Sequence, residues 1–218
     1  MKGMALVAIV VLMAGISGYA EGIEINAKPT DPLWPNTFQQ NFTEKFYYPV
    51  IGTHYTRGTY YYDFTNKRYR IDRVNGRYDR YCGFNGVRAF QNTPCTQLVV
   101  NGMRWVIYPE KQDCCQCCDA AHGCGVLKPT WLSGAQFIEE KNGTYKWNQP
   151  GLQANYYTER VKDRVMLQIN QVPNDIQDFD ASTFKKSIDN IDSVFALPFY
   201  CKAGTKCSLF STCRAVGK

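Results

Sequence analysis

The chain has 218 residues, ten cysteines, 14% aromatic residues and a formal net charge of +6. That length supports one domain with a real core. Its basic residues are scattered among Asp and Glu rather than gathered into a stripe, which argues against nucleic-acid binding.

The chain opens on Met1-Lys2-Gly3, runs through an apolar stretch from Met4 to Ile16, and reaches the small residues Gly18-Tyr19-Ala20. This order predicts a secretory signal peptide over 1–20. A span would need roughly 20 apolar residues, and no later stretch offers one. Residues 21–218 are then read as a single β-rich domain that keeps all ten cysteines. Ten cysteines in an exported chain read as a disulfide framework. Asn41-Phe42-Thr43 and Asn142-Gly143-Thr144 are glycosylation sequons, the second in a polar turn and so the more accessible.

The dominant hydrophobic period is two. Tyr60 to Ile71 reads as a hairpin turning near Asn66-Lys67, with Phe64 opposite Tyr69 and Tyr62 opposite Ile71 on an apolar face. Asp63 then opposes Arg70 on the charged face. Val74-Asn75-Gly76-Arg77 suggests a further turn with a bulge or longer loop. Asn101-Gly102 is the strongest turn signal, and it sets Val100 against Met103, Leu98 against Trp105 and Thr96 against Ile107.

Cys82 and Cys95 precede the dense cluster Cys114-Cys115-Gln116-Cys117-Cys118 with Cys124, inside a Cys-rich insertion over 109–130. The C-x-x-C spacings fit zinc, with Cys124 and His122 as further ligands. An exported chain favours disulfides instead, and no metal site is assigned. A Cys-rich tail over 199–218 carries Cys201, Cys207 and Cys213. Five cluster cysteines and three tail cysteines cannot each close on themselves. At least one bond must therefore leave the cluster, most simply to the tail, with Cys82–Cys95 as a local staple.

A third strand pair runs from about Leu152 to Thr158 and from Arg164 to Ile169, with Val165, Leu167 and Ile169 sharing a face. The acidic run Asn174 to Asp180 offers oxygens to calcium but lacks EF-hand spacing, so it reads as a turn into a helix cap. Phe184, Ile188 and Ile191 at i, i+4, i+7 predict one short helix, capped by Asp180 or Ser182. The fold class expected is mostly β: a single strongly curved antiparallel sheet with one or two short helices, stapled by disulfides.

Catalytic signatures are missing. His54 and His122 are the two histidines, and there is no G-x-S-x-G, H-E-x-x-H, P-loop or G-x-G-x-x-G. The chain is therefore read as a non-enzyme, with no catalytic residue assigned. Its aromatic residues, among them Trp105, Trp131, Trp147, Tyr156 and Tyr157, are candidates to line an apolar cavity. A large curved sheet with little helix leaves a concave apolar surface that must bind something, dimerise or be filled by loops. Strand parity nominates Tyr60, Tyr62, Phe64, Leu98, Trp105, Ile107, Val165, Leu167 and Ile169 as its lining. A register slip would turn any of these sets outward.

Tyr62-Asp63-Phe64-x-Asn66-Lys67-Arg68-x-Arg70 resembles the early hairpin of ependymin-related proteins. Ala154-Asn155-Tyr156-Tyr157, Phe179-Asp180-x3-Phe184 and Phe195-x-Leu197-Pro198-x2-Tyr200-Cys201 resemble that family's C-terminal part. The likeness spans Phe46 to Cys201, and the Cys-rich insertion and tail depart from it toward protist and algal members. The resemblance implies a secreted or lysosomal glycoprotein with a LolA-like half-barrel and a deep hydrophobic pocket. It also implies lipid binding, calcium and homodimers, with no calcium ligand matched.

The function expected is thus a secreted, non-enzymatic binder or carrier of a lipid or other hydrophobic small molecule, outside the cell or in the endolysosomal lumen. The alternatives are an extracellular structural or adhesive protein using the cysteine loop as a contact surface, and a zinc-dependent module.

Overall fold

A computed structural model describes residues 28–50, 52–77, 79–83, 91–151, 154–209 and 211–215. The signal-peptide expectation lies outside the described residues. Among those described, no helix is long and apolar enough to cross a membrane.

Eleven strands form one open sheet. They are β1 (Thr37–Tyr48), β2 (Gly52–Asp63), β3 (Arg68–Arg73), β4 (Cys95–Val100), β5 (Met103–Tyr108), β6 (Asp113–Asp119), β7 (Gln136–Lys141), β8 (Thr144–Gln149), β9 (Asn155–Arg160), β10 (Met166–Gln171) and β11 (Asp175–Phe179). Their order is β6-β5-β4-β3-β2-β1-β11-β10-β9-β8-β7, and every neighbouring pair is antiparallel. The sheet is two meanders joined where β1 pairs with β11. Strands from both meanders wall one cavity, so the sheet curls into the expected half-barrel. Among the described residues two short α-helices complete it, α1 (Ile191–Val194) and α2 (Thr212–Ala215).

Turn chemistry explains the hairpins. Asn101 and Gly102 have φ of 51° and 72°, and Asn142 and Gly143 have 52° and 73°. Both are two-residue turns with both centres left-handed, whose twist matches that of the strands. The β4–β5 pairing is the one read from sequence: Val100 with Met103, Leu98 with Trp105, Thr96 with Ile107.

The β2–β3 pairing differs. Tyr62 pairs with Tyr69, Tyr60 with Ile71, Tyr61 with Arg70 and Asp63 with Arg68. The expected partners of Tyr62 and Asp63 were Ile71 and Arg70. Asp63 sets the new register. Its carboxylate accepts from the Asn66 N–H at 3.3 Å, from Asn66 Nδ2 at 2.8 Å and from Arg68 Nε at 2.7 Å. The loop therefore runs from Phe64 to Lys67, with Lys67 left-handed at φ 53°. The slip is two residues, so every side chain keeps its face.

Three further expectations are corrected. In β10 a bulge separates Met166, opposite Glu159, from Gln168, opposite Thr158. Leu167 is the extra residue, Met166 takes the inward place, and the shared face of Val165, Leu167 and Ile169 is broken. The acidic run is not a turn but β11, paired on both sides. The helix begins only at Ile191. Asp180 folds onto the Ser182 N–H and hydroxyl, and Lys185 exchanges two 3.0 Å backbone bonds with Gln39 on β1. That backbone is unavailable for a helical turn.

The two faces bury different things. Inside, Phe38, Phe42, Tyr60, Tyr62, Tyr69, Trp147 and Tyr157 pack against Trp34, Leu132 and Ala135. The last two belong to the connection over 120–135, which runs from edge strand β6 to edge strand β7 and so traverses the concave side. It acts as a plug. The Trp34 N–H donates to Pro129 O at 3.1 Å, and the Tyr62 hydroxyl donates to Leu127 O at 2.7 Å. Outside, Leu98, Trp105 and Ile107 pack under Ile188 and Phe195 of the C-terminal segment.

All ten cysteines are bonded: Cys82–Cys95, Cys114–Cys201, Cys115–Cys207, Cys117–Cys213 and Cys118–Cys124. The local staple stands as read, and three bonds rather than one tie the cluster to the tail. The reason is alignment. The tail runs alongside β6, where the Gln116 N–H donates to Thr205 O at 2.7 Å and the Cys207 N–H to Gln116 O at 2.9 Å. It thereby covers an edge strand that would otherwise offer unpaired backbone groups.

Candidate functional site: a cavity between the sheet and its plug

The plug fills the inner face near Tyr62, Trp147 and Tyr157 but stops short of the other strand ends. A cavity of about 510 Å³ remains there, within the roughly 300–1,000 Å³ common to ligand sites. Trp34, Tyr60, Ile71, Leu127, Trp131 and Ile169 supply its apolar walls. Tyr60 and Ile71 face each other across β2 and β3, and Ile169 comes from β10 on the far side. A more open hollow of about 470 Å³ lies over the outer side of β1, β2 and β11 around Asn41, Arg57 and Asp178. It spans only the seam where β1, β2 and β11 meet and is the more open of the two, so the inner cavity, walled by eight strands and the plug, is the candidate site.

Polar groups gather at one end. Asp175, Gln171, Asn155 and Gln149 form one row across β11, β10, β9 and β8. Facing them are Arg73 at the end of β3 and the loop residues Arg80 and Tyr81. The Arg73 side chain is wholly buried, and one of its nitrogens, Nη1, donates both to Glu44 and to Asp79, the latter at 3.2 Å. Arg80 Nη2 donates to Asp175, to Gln171 Oε1 at 2.6 Å and to the Tyr81 hydroxyl at 3.2 Å.

The carboxyls here are perturbed. Burial pushes Glu44 up to about 7, Arg73 pulls against it, and Asp175 adds to the rise. Burial also raises Asp79, against the pull of Arg73. The arginines are thus largely neutralised from within the protein. Several polar atoms stay without a partner among the described residues: Nε and Nη2 of Arg73, Nε of Arg80, Oε1 of Gln149 and Nε1 of Trp131. Buried polar groups are normally satisfied, so a set of orphans around one cavity marks a place built for an occupant.

The nominated lining divides sharply. Tyr60 and Ile169 line the cavity. Tyr62 and Phe64 belong to the inner core beside the plug. Leu98, Trp105 and Ile107 lie on the opposite face, because Val99 rather than Leu98 sits across from Tyr69. The inward residues of β4 and β5 are Gln97, Val99, Arg104 and Val106. Val165 is buried away from the cavity, and Leu167 stands in the bulge. Of the sequon asparagines, Asn41 is exposed on the outer side of β1 and Asn142 is exposed at the β7–β8 turn.

Sequence reasoning missed Trp34, Leu127, Arg73 and Arg80. The available signal was the apolar content just after the cysteine cluster, Val126, Leu127, Trp131 and Leu132, in a segment with no strand alternation.

No family model matches the chain, and no curated protein matches it. Among solved structures, an uncharacterized conserved protein from Thermus thermophilus aligns over 79% of this chain and 89% of its own, at 8% identity and a TM-score of 0.47. A LolA superfamily protein from Nitrosomonas europaea aligns over 75% and 91%, at 9% identity and a TM-score of 0.37. A DUF1329 family protein from Desulfovibrio piger aligns over 74% and 90%, at 8% identity and a TM-score of 0.37.

Proposed function

We propose that this protein is a secreted, non-enzymatic binder or carrier of a lipid or other hydrophobic small molecule, held between the half-barrel and its plug. The observation that carries this reading is the cavity of about 510 Å³ with apolar walls from both halves of the sheet. Each methylene taken there from water contributes about 0.8 kcal/mol. The likeness of Tyr62 to Arg70 and of Phe195 to Cys201 to ependymin-related proteins is consistent with it. The reading needs neither calcium nor zinc. In the alternative, a cysteine loop acting as a contact surface, the contact would fall to the exposed residues 109–113 and 120–123, since Cys114, Cys117 and Cys124 are themselves 5%, 3% and 0% exposed.

The test is saturable uptake of a fluorescent fatty-acid analogue by protein from a secretory host. Ile169→Lys should abolish uptake with little change in melting temperature. Gln168→Lys, one residue along on the outer side of β10, should leave uptake intact. Failure of the wild-type protein to take up the analogue would remove the carrier reading.

A further inference from the structure

The lining of the cavity is rich in carboxamides, three in the polar row at one end and two, Gln97 and Gln177, directly across from Ile71 and Ile169. Gln97, Gln149, Asn155, Gln171 and Gln177 all line it, from β4, β8, β9, β10 and β11. Carboxamides carry both a donor and an acceptor and no charge. Five of them converging from five strands are difficult to explain as core packing, since each displaces an apolar side chain from an inward position. The aromatic rings of Trp131 and Tyr60 stand beside them.

The charged groups at this end do not select an ion. Arg73 is held by Glu44 and Asp79, and Arg80 by Asp175, so these two positive charges meet their counter-charges inside the protein, while Arg104, the third arginine of the lining, stands against the Tyr69 ring. What remains is hydrogen-bonding capacity of both kinds. Arg73 Nε, Arg73 Nη2 and Arg80 Nε are donors without acceptors among the described residues, Gln149 Oε1 is an acceptor without a donor, and each lining carboxamide brings one group of each kind. A hydroxyl group donates and accepts at once. An ionised head group would match only one of the two groups of each carboxamide, its N–H or its C=O, and would add a charge in a buried place where Arg73 and Arg80 already have their carboxylates.

We propose that the cavity selects amphiphiles with an uncharged, hydroxyl-bearing head, such as a glycerol or a sugar, seated among Gln97, Asn155, Gln171 and Gln177 with the chain along Tyr60, Ile71 and Ile169. This rests on the carrier reading and specifies its ligand class. The row of amides then recognises hydroxyls, while the arginine–carboxylate network holds the amides in place; Arg80, for example, fixes Gln171 at 2.6 Å.

The experiment is displacement of the bound fluorescent fatty-acid analogue by four competitors sharing one C18 chain: monoolein, oleyl alcohol, oleic acid and oleylamine. Monoolein should displace at a concentration about tenfold below oleic acid and oleylamine, a preference worth one well-matched hydrogen bond or more. Oleyl alcohol should fall between. Gln177→Leu and, separately, Gln97→Leu should bring monoolein to the same displacing concentration as oleic acid, each referred to the variant's own affinity for the analogue, while the outer-side control Gln168→Lys should keep the preference; two positions guard against one variant failing to fold. Equal displacement by all four, or tighter displacement by the acid or the amine, overturns the inference and leaves the carrier reading standing. Absence of any analogue uptake overturns both.

Discussion

Two hairpins of this sheet look alike in sequence and serve opposite sides of the molecule. In β2–β3, Tyr60, Tyr62, Tyr69 and Ile71 turn inward, toward the plug and the cavity. In β4–β5, the equally apolar Leu98, Trp105 and Ile107 turn outward and are sealed by Ile188 and Phe195. Alternation states which residues share a face, but not which face that is. The inward set of β4–β5, Gln97, Val99, Arg104 and Val106, is the more polar one, and a pattern reading assigns such a set to solvent. It faces the cavity with its polar groups, and its partner set is buried because the C-terminal segment from Ile188 to Cys201 covers it.

The contrast predicts separable mutational effects. The largest is on the outer face. Trp105→Ala should cost about 4 kcal/mol of stability, as large aromatic truncations in a core do. Its residual folded fraction should still take up the fluorescent analogue with unchanged affinity. Denaturant unfolding with a parallel uptake assay checks this, and loss of affinity at full folding would place Trp105 at the ligand after all. Removing a tail bond comes next. Cys115→Ser with Cys207→Ser should lower stability by about 2–4 kcal/mol. It should also free the β6 edge, read as self-association on size exclusion.

A smaller effect concerns pH. Glu44 in the folded protein titrates at about 7, above its usual 4.5, because it is buried and lies near Asp175. The folded state therefore holds this proton more tightly than the unfolded chain. Stability from this group is full below about 4.5 and is lost as pH rises through 7, by on the order of 3 kcal/mol. Glu44→Gln should flatten that slope, so that the variant gains on the wild-type protein at pH 8 and not at pH 4. Arg73, Asp79, Arg80 and Asp175 face the same space, and identical slopes in both proteins would assign the pH dependence to another carboxyl, first of all Asp79, which burial also raises.

The smallest effect tests the register. Burial pushes the Asp63 carboxyl up, but the bonds from Asn66 and Arg68 outweigh it and hold the group below its usual range. A double-mutant cycle on Asp63 and Arg68 should give about 1 kcal/mol of coupling, while Asp63 with Arg70 should give none. The reverse result would restore the register that the turn at Asn66-Lys67 suggests.

What was legible in the sequence follows the same division. Asn101-Gly102 fixed β4–β5 to the residue, because a two-residue left-handed turn permits one register. The β2–β3 register slipped by two because Asp63 captures its own loop, an effect of one side chain that periodicity does not see. Cysteine parity required a bond leaving the cluster, whereas three bonds follow only once the tail is seen running beside β6. The strand β11 was hidden because its inward residues are Asp175, Gln177 and Phe179, two of them polar, so Asn174 to Asp180 reads as a turn. Those polar residues line the cavity. The site broke the alternation that would have revealed the strand carrying it. The plug was unreadable for a different reason: its position depends on β6 and β7 being the two edges of the sheet, which is a property of topology and not of any local pattern.

Ligand should lie inside the half-barrel and not on its outer face. Tryptophan positions separate the two, since Trp34 and Trp131 line the cavity while Trp105 lies on the opposite face. Titration with a brominated fatty acid should quench the protein's fluorescence saturably. Trp131→Phe should remove a large part of the quenchable signal, and Trp105→Phe should leave it in place. Quenching that vanishes with Trp105→Phe and persists in Trp131→Phe would put the ligand on the outer face and rule out the cavity as its site.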